Sequence, residues 1–281
     1  MIRHSAVLTA ALMTAWTGSS ASAADLEPQA APELYAPEIV TPTVAQGWYI
    51  RGDFGYAGWT GDEKPDYRVT QADGTVLATD TFDSARFSKP VSFGGGIGYQ
   101  LNDFLRTDVT ADIFDGRLNG VSEISSPCAV TELAGTGCGR DYRASYRGIG
   151  VLANGYIDLG TVAGFTPYIG GGLGATQINW GSTRTDDFCT AGSAACSGNA
   201  YGSQNFDGET SWRFTYALMA GVSYDITNRI KLDLGYRYSD IAGGDMFKTG
   251  SGSTVQTVRT KGSDDGLSRH EIRAGLRLTT W

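Results

Sequence analysis

The feature that most limits what this chain can fold into is an alternation of apolar and polar residues, with period two, running from Gly47 nearly to the C-terminus. It is cleanest from Trp212 to Asp225. Even positions there are Trp212, Phe214, Tyr216, Leu218, Ala220, Val222 and Tyr224; odd positions are Arg213, Thr215, Ala217, Met219, Gly221, Ser223 and Asp225. Ile230, Leu232, Leu234, Tyr236 and Tyr238 then alternate with Lys231, Asp233, Gly235, Arg237 and Ser239. A helix of these residues would spread charge around its whole circumference, whereas a strand has one apolar and one polar face. Eight such segments can be marked, at roughly 47–57, 86–101, 104–115, 142–158, 165–180, 211–225, 229–240 and 269–281. The links between them alternate in length. Leu101-Asn102-Asp103, Gly160–Gly164 and Ile226-Thr227-Asn228 have turn-forming composition. The other four, near 58–85, 116–141, 181–210 and 241–268, each exceed twenty residues.

Long unstructured links are unusual in compact soluble domains. Short turns on one side and long loops on the other are the habit of transmembrane barrels. The expected fold is therefore all-β: an eight-stranded antiparallel up-and-down transmembrane β-barrel with short periplasmic turns and four long extracellular loops. A soluble sandwich or lipocalin would show the same alternation with its apolar face turned inward. Two features favour the membrane. Trp48, Tyr56, Tyr99, Trp212, Tyr224, Tyr236 and Tyr238 lie on the apolar parity near strand ends, as interfacial aromatic girdles do. The opposite parity is charged and rich in glycine, as at Gly94-Gly96-Gly98 and Gly170-Gly172-Gly174, which suits the narrow interior of an eight-stranded barrel.

The N-terminus reads as an export signal. Arg3 precedes an apolar run from Ser5 to Gly18, and Ala21-Ser22-Ala23 offers small residues for cleavage after Ala23 or Ala24. The run is too short to span a bilayer as a helix. Residues 1–23 are thus expected to be a signal peptide. Residues 24–46 hold Pro28, Pro32, Pro37 and Pro42, half of the 8 prolines, and read as an extended periplasmic leader or a partner-binding polyproline segment. Residues 47–281 are the barrel. The chain has 22 Lys+Arg against 30 Asp+Glu, and the signal removes one Arg and no acid. So acidic a protein has no electrostatic attraction to nucleic acid.

The inward parity carries Arg51, Asp53, Arg106, Asp108, Asp112, Asp158, Arg213, Asp225, Lys231, Asp233, Arg237, Glu271, Arg273 and Arg277. Opposite charges facing each other in so narrow a lumen are expected to pair and fill it, because an unpaired buried charge is costly. Strand eight must pair with strand one to close the barrel, which places Arg273 and Arg277 on the side of Asp53. A structural and surface-interaction role follows, with a narrow or gated porin as the alternative. Cys128 and Cys138 fall in the second long link, Cys189 and Cys196 in the third. In an exported chain they are expected to form disulfides. Of the three connectivities, the local pairs Cys128–Cys138 and Cys189–Cys196 close the shortest loops. The spacing does not suit a metal site, and no cofactor is expected. His270 is the one histidine beyond the signal. It shares parity with Ser268, about 7 Å along a strand, so a hydrolytic pair is conceivable. A polar girdle residue is the simpler reading, and the chain is expected not to be an enzyme. A lipid-modifying enzyme is the remote alternative.

Thr166-Pro167-Tyr168-Ile169-Gly170-Gly171-Gly172-Leu173-Gly174, Met219-Ala220-Gly221-Val222-Ser223-Tyr224-Asp225, Leu234-Gly235-Tyr236-Arg237-Tyr238 and His270-Glu271-Ile272-Arg273-Ala274-Gly275-Leu276-Arg277 resemble the eight-stranded outer-membrane protein β-barrel family. That family includes the OmpA membrane domain, opacity-type adhesins and small alphaproteobacterial surface antigens, some called porin-family proteins. The resemblance covers the strands, not the leader or the loops. It implies residence in the outer membrane among its lipid and lipopolysaccharide, and insertion by the barrel-assembly machinery. It implies variable surface loops but no single activity. It also makes Trp281 the aromatic assembly signal. Here the chain departs from the pattern: Ile272, Ala274, Leu276 and Leu278 are even, and Trp281 is odd. A bulge near Thr279-Thr280 would restore the step.

Overall fold

The structure is a computed structural model that describes residues 46–59, 65–71, 73–124, 138–189, 202–249 and 258–280. The signal segment, nearly all of the leader, Cys128, Cys196 and Trp281 lie outside the described residues. Thirteen strands are described: β1 (Gly47–Trp59), β2 (Asp66–Gln71), β3 (Val76–Thr81), β4 (Ser84–Phe87), β5 (Val91–Gln100), β6 (Leu105–Ile124), β7 (Cys138–Asp158), β8 (Phe165–Trp180), β9 (Thr183–Cys189), β10 (Gly202–Gly208), β11 (Thr210–Asp225), β12 (Ile230–Thr249) and β13 (Val258–Thr279). Eight of them form a ring. Antiparallel pairing runs from β1 through β5, β6, β7, β8, β11, β12 and β13, and β13 returns to β1 with Tyr49 opposite Thr279 and Tyr56 opposite Ile272. Every backbone edge in the membrane zone is thereby paired, as a lipid-spanning sheet requires.

The short links are held by their own residues. Asn102 Oδ1 accepts hydrogen bonds from the amides of Phe104 (2.9 Å) and Leu105 (2.8 Å). Thr227 Oγ1 does the same for Arg229 (3.2 Å) and Ile230 (3.0 Å). In the β7–β8 turn, Gly160 and Gly164 take φ of 97° and 83°, a region open to glycine at little cost.

The barrel wall obeys the alternation. Leu218 is 58 % exposed and faces outward, while Thr215 is 2 % exposed and faces the lumen. On β8 the outward residues from Phe165 to Ala175 span ten steps, about 25 Å of height at a rise of ~3.3 Å and a tilt of ~40°. That matches the apolar band of an outer-membrane barrel. Trp48, Tyr56, Trp212, Tyr224 and Tyr236 are exposed on this band.

At the upper edge of the band the pattern inverts without a change of register. On β6, Ile113 faces out, Phe114 is buried inside, and Asp115 faces out. On β7 the outward series Val151, Ile149 becomes Arg147, Ser145, Arg143 as the inward series becomes Tyr146, Ala144, Tyr142. β8 passes to outward Gln177 and Asn179 over inward Ile178 and Trp180. β12 and β13 turn over at Asp240/Ile241 and Ser268/Leu267. The strands then continue into water with an apolar interior and a polar exterior.

This corrects the expectation of four structureless loops. The link segments contain β2, β3, β4, β9 and β10, as well as long prolongations of β6, β7, β12 and β13. Above Trp180 and Thr210 the hairpin β9–β10 replaces β8 and β11 in the wall, with β9 pairing β7 and β10 pairing β12. β2 extends the wall from β13 and carries β3. The expected strand at 86–101 is two strands, because Ser88-Lys89-Pro90 interrupts it and proline cannot donate to the ladder. The β1–β13 pairing also runs without a bulge from Trp59/Arg269 to Tyr49/Thr279, so no correction of step occurs before Thr280.

Candidate functional site

The interior has two parts, a charged lumen within the membrane zone and an apolar plug above it. In the lumen, four arginines and four acids form one neutral network across β1, β6, β12 and β13. Arg51 meets Asp53 (2.7 Å) and Asp108 (3.0 Å). Arg273 meets Asp112 (2.7 Å) and Asp53 (3.6 Å). Arg237 bridges Asp112 (2.7 Å) to Glu271 (2.9 Å), and Arg269 closes on Glu271 (2.7 Å). Neutral groups add further hydrogen bonds, although Nε of Arg269 and of Arg273 is buried without a hydrogen-bond partner. Asn154 Nδ2 donates to Asp108 (2.7 Å), Tyr49 donates to the same carboxylate (3.1 Å), and Ser92 donates to Glu271. Pairing of this kind offsets the cost of desolvation that each isolated buried ion would otherwise pay in full.

Toward the end with the short turns, Arg106 pairs with Asp158 (3.0 Å) and is sandwiched between the rings of Tyr156 (4.2 Å) and Tyr168 (4.6 Å). Arg277 pairs with Asp233 (3.2 Å) and receives Ser223 Oγ as an acceptor (2.9 Å). Arg277 therefore does not join Asp53; only Arg273 does. Three residues separate them on β13, and that spacing carries Arg277 opposite Lys231 and diagonal to Asp233 on β12. Lys231 itself pairs with Asp225 at the rim.

Glycines make this packing possible. A Cβ at Gly94 would stand 2.3 Å from Asp112 Oδ1, and one at Gly98 would stand 2.2 Å from the Tyr49 ring. These side chains lie directly over the backbone of the neighbouring strand, Asp112 over Gly94 and Tyr49 over Gly98. The voids beside the network are small, 20 Å³ next to Arg51 and Arg273 and 10 Å³ next to Phe114 and Arg269, whereas a cavity of 280 Å³ opens at the short-turn rim beside Asp158, Lys231 and Arg277. Each of the small voids holds about one water at most.

The plug above consists of Phe114, Leu118, Tyr142, Tyr146, Ile178, Trp180, Ile241, Leu267 and, from the added strands and their flanks, Tyr67, Phe82, Phe206, Met246 and Phe247. Rings stack through it, with Phe82 4.4 Å from Tyr142 and Tyr146 4.9 Å from Trp180. At its base Arg213 pairs with Asp264 (2.6 Å). Outside the plug, the hydrogen bond from Ser203 (2.6 Å), aided by Arg184, holds the Asp186 carboxyl below its ordinary range.

Just above the apolar band, the outer wall bears a groove of about 750 Å³ lined by Asp115, Arg117, Arg147, Gln177 and Asn179. His270 lies on the outer face at the same edge, hydrogen-bonded to Tyr236 and 5.0 Å from the Tyr238 ring. It is part of the aromatic girdle.

Sequence reasoning left several interior residues unmarked. Asp112 and Asp158 were assigned to the inward parity; Arg269 was not, although extending that parity along β13 reaches it. Tyr49 and Tyr156 also have that parity, but they carry no charge and were passed over. The plug carried a subtler signal, the parity inversion itself. The register of β7 against β9 was not visible at all. It brings Cys138 opposite Cys189.

Comparison with known proteins agrees with this architecture. Residues 10–278 match the family model described as outer membrane protein beta-barrel domain. An uncharacterized protein of Brucella suis biovar 1 is 36% identical over 299 residues, covering 97% of this chain and 96% of its own. A Rickettsia bellii protein, provisionally named an adhesin, is 25% identical over 82% of this chain and 87% of its own. Among solved structures, OprG of Pseudomonas aeruginosa is similar at 17% identity, 84% and 97% coverage and a TM-score of 0.46. Neisserial surface protein A is similar at 18% identity, 83% and 96% coverage and a TM-score of 0.40.

Proposed function

The chain belongs to the outer membrane protein β-barrel family, and from that premise we propose that it is a closed barrel whose work is done by its extracellular surface. Its location is the outer membrane. The observation that carries the proposal is the filled interior: a neutral ionic network within the membrane zone, voids of 20 and 10 Å³, and an aromatic plug above them. Conduction of hydrated ions needs a continuous aqueous path, which such packing does not leave. The ordered extension is the part offered to the outside, and the adhesin name of the Rickettsia bellii relative fits a surface-interaction role. The outer groove with Arg117 and Arg147 sits at headgroup height, where lipopolysaccharide phosphates would meet it. Insertion would fall to the barrel-assembly machinery. The position of His270 in the outer girdle supports a non-enzymatic role.

Surface display is tested by labelling intact cells. In a background with the four native cysteines replaced by serine, Asp73→Cys at the β2–β3 hairpin is expected to react with a membrane-impermeant thiol reagent. Asn228→Cys in the β11–β12 turn is expected to react only after lysis. The reverse pattern would place the extension in the periplasm and end the proposal.

A further inference from the structure

The plug is surrounded by a wall in which β8 gives way to β9, and the seam between β7 and β9 carries a feature that the barrel itself does not explain. Six consecutive pairs join these strands, from Arg143 opposite Arg184 to Cys138 opposite Cys189. Several contacts fix that register. Arg143 reaches Asp186 on β9 (3.3 Å), and Asp186 is in turn held by Arg184 (3.1 Å) and Ser203 (2.6 Å). One step before the cysteines, the Phe188 ring lies over Gly139 so closely that a Cβ there would be 2.2 Å from it. A slip of one residue would drive Cys138 or Arg140 into that ring. The two cysteines are therefore placed opposite one another by contacts that do not involve sulfur.

Directly opposed residues of an antiparallel pair share a face of the sheet, and their Cα atoms stand about 4.5–5.5 Å apart. Disulfides ordinarily join Cα atoms about 4.4–6.8 Å apart. We propose that Cys138 and Cys189 form a cross-strand disulfide that latches β7 to β9 in the extracellular extension. The bond would tie the β6–β7 hairpin to the β9–β10 hairpin at the outer end of the wall, where sheet edges fray most easily. It departs from the local pairs Cys128–Cys138 and Cys189–Cys196, which the shortest-loop argument favours. That argument weighs closure in an unfolded chain, whereas the folded register already holds Cys138 beside Cys189.

The chemistry is a thiol–disulfide exchange during export through the periplasm. The oxidant is a thiol oxidase with a protein disulfide. One cysteine thiolate attacks that disulfide, forms a mixed disulfide and releases the first oxidant thiolate. The second cysteine thiolate then attacks the sulfur of the first and expels the second oxidant thiolate. Two thiols of this chain lose two electrons and two protons, and the oxidant's disulfide becomes a dithiol.

The test is a peptide map of the full chain. Protein is extracted from outer membranes with free thiols blocked, then cut without reduction by trypsin and a glutamyl endopeptidase at mildly acid pH. Cys138 then lies in Leu133–Arg140, Cys128 in Ile124–Glu132, and Cys189 with Cys196 in Thr185–Glu209. The expected result is Leu133–Arg140 joined to Thr185–Glu209 and freed by reductant. The link should persist in Cys196→Ser and vanish in Cys189→Ser. A heat-dependent gel shift retained by both variants shows that the barrel still folds. Leu133–Arg140 joined to Ile124–Glu132, a link lost in Cys196→Ser but kept in Cys189→Ser, or a blocked Cys138 thiol would each overturn the proposal.

Discussion

Removing the Asp112 carboxylate is the sharpest perturbation of the lumen. It accepts from Arg237 and from Arg273, each at 2.7 Å, and both guanidinium groups are nearly inaccessible to water. The surrounding network is neutral, with four arginines against four acids. Asp112→Ala leaves it with one excess positive charge and two arginines competing for Glu271 and Asp53. No water-filled space relieves that charge, since the adjacent voids hold about one water each. Breaking a buried pair in this way costs about 3–5 kcal/mol. Asp115, three residues along the same strand, supplies the control. It pairs with Arg147 at 2.7 Å, but both side chains are more than 60 % exposed (63 % and 62 %). Its loss should cost no more than ~1 kcal/mol, because water and salt screen the pair. The assay is denaturant unfolding of the refolded barrel in lipid vesicles, followed by tryptophan fluorescence. Equal losses for the two variants, or a loss below ~1 kcal/mol for Asp112→Ala, would refute the view that the lumen is a dry, charge-balanced core.

Two further perturbations address the wall and the plug. Leu218→Arg places a charge in the lipid band and should cost about 2–4 kcal/mol in the same assay; a cost no greater than that of Thr210→Arg, above the band on the same face, would contradict the assigned membrane zone. Phe247→Ala removes a fully buried ring that contacts Tyr142 and Phe206 and should cost about 3–5 kcal/mol. It should also open β9–β10 to protease in intact cells while the gel shift survives, and unchanged protease resistance would show that the plug does not hold the extension.

The membrane zone was legible because one rule governs it. Each strand repeats the same parity for ten or more residues, and the turns at Asn102, Gly160 and Thr227 have residues suited to their geometry. The extension was not legible because it obeys the opposite rule. On β6 the outward face goes from Val109, Ala111 and Ile113 to Asp115, Arg117 and Asn119. A search for one continuous apolar face stops at Ile113 and consigns the rest to a loop. Phe114 and Leu118 then read as isolated apolar residues, although they continue the parity of Asp108 and Asp112. The inversion has a simple cause: below it the exterior solvent is lipid, and above it the exterior solvent is water. The charged residues of the lumen could be assigned to the interior by parity. Their partners could not, because Arg277 and Arg273 differ by two inward steps and that offset selects Asp233 over Asp53. The placement of Cys138 opposite Cys189 lay further out of reach, since it depends on β9 leaving its neighbour β8 to pair with β7.

The central claim is that the interior is closed, and planar-bilayer recording of the purified barrel tests it most directly. The account predicts no stable open steps from the wild type in molar salt, and frequent noisy openings from Asp112→Ala, whose uncompensated arginines draw water into the lumen. A large, steady wild-type conductance that Asp112→Ala leaves unchanged would contradict it and make the protein a pore.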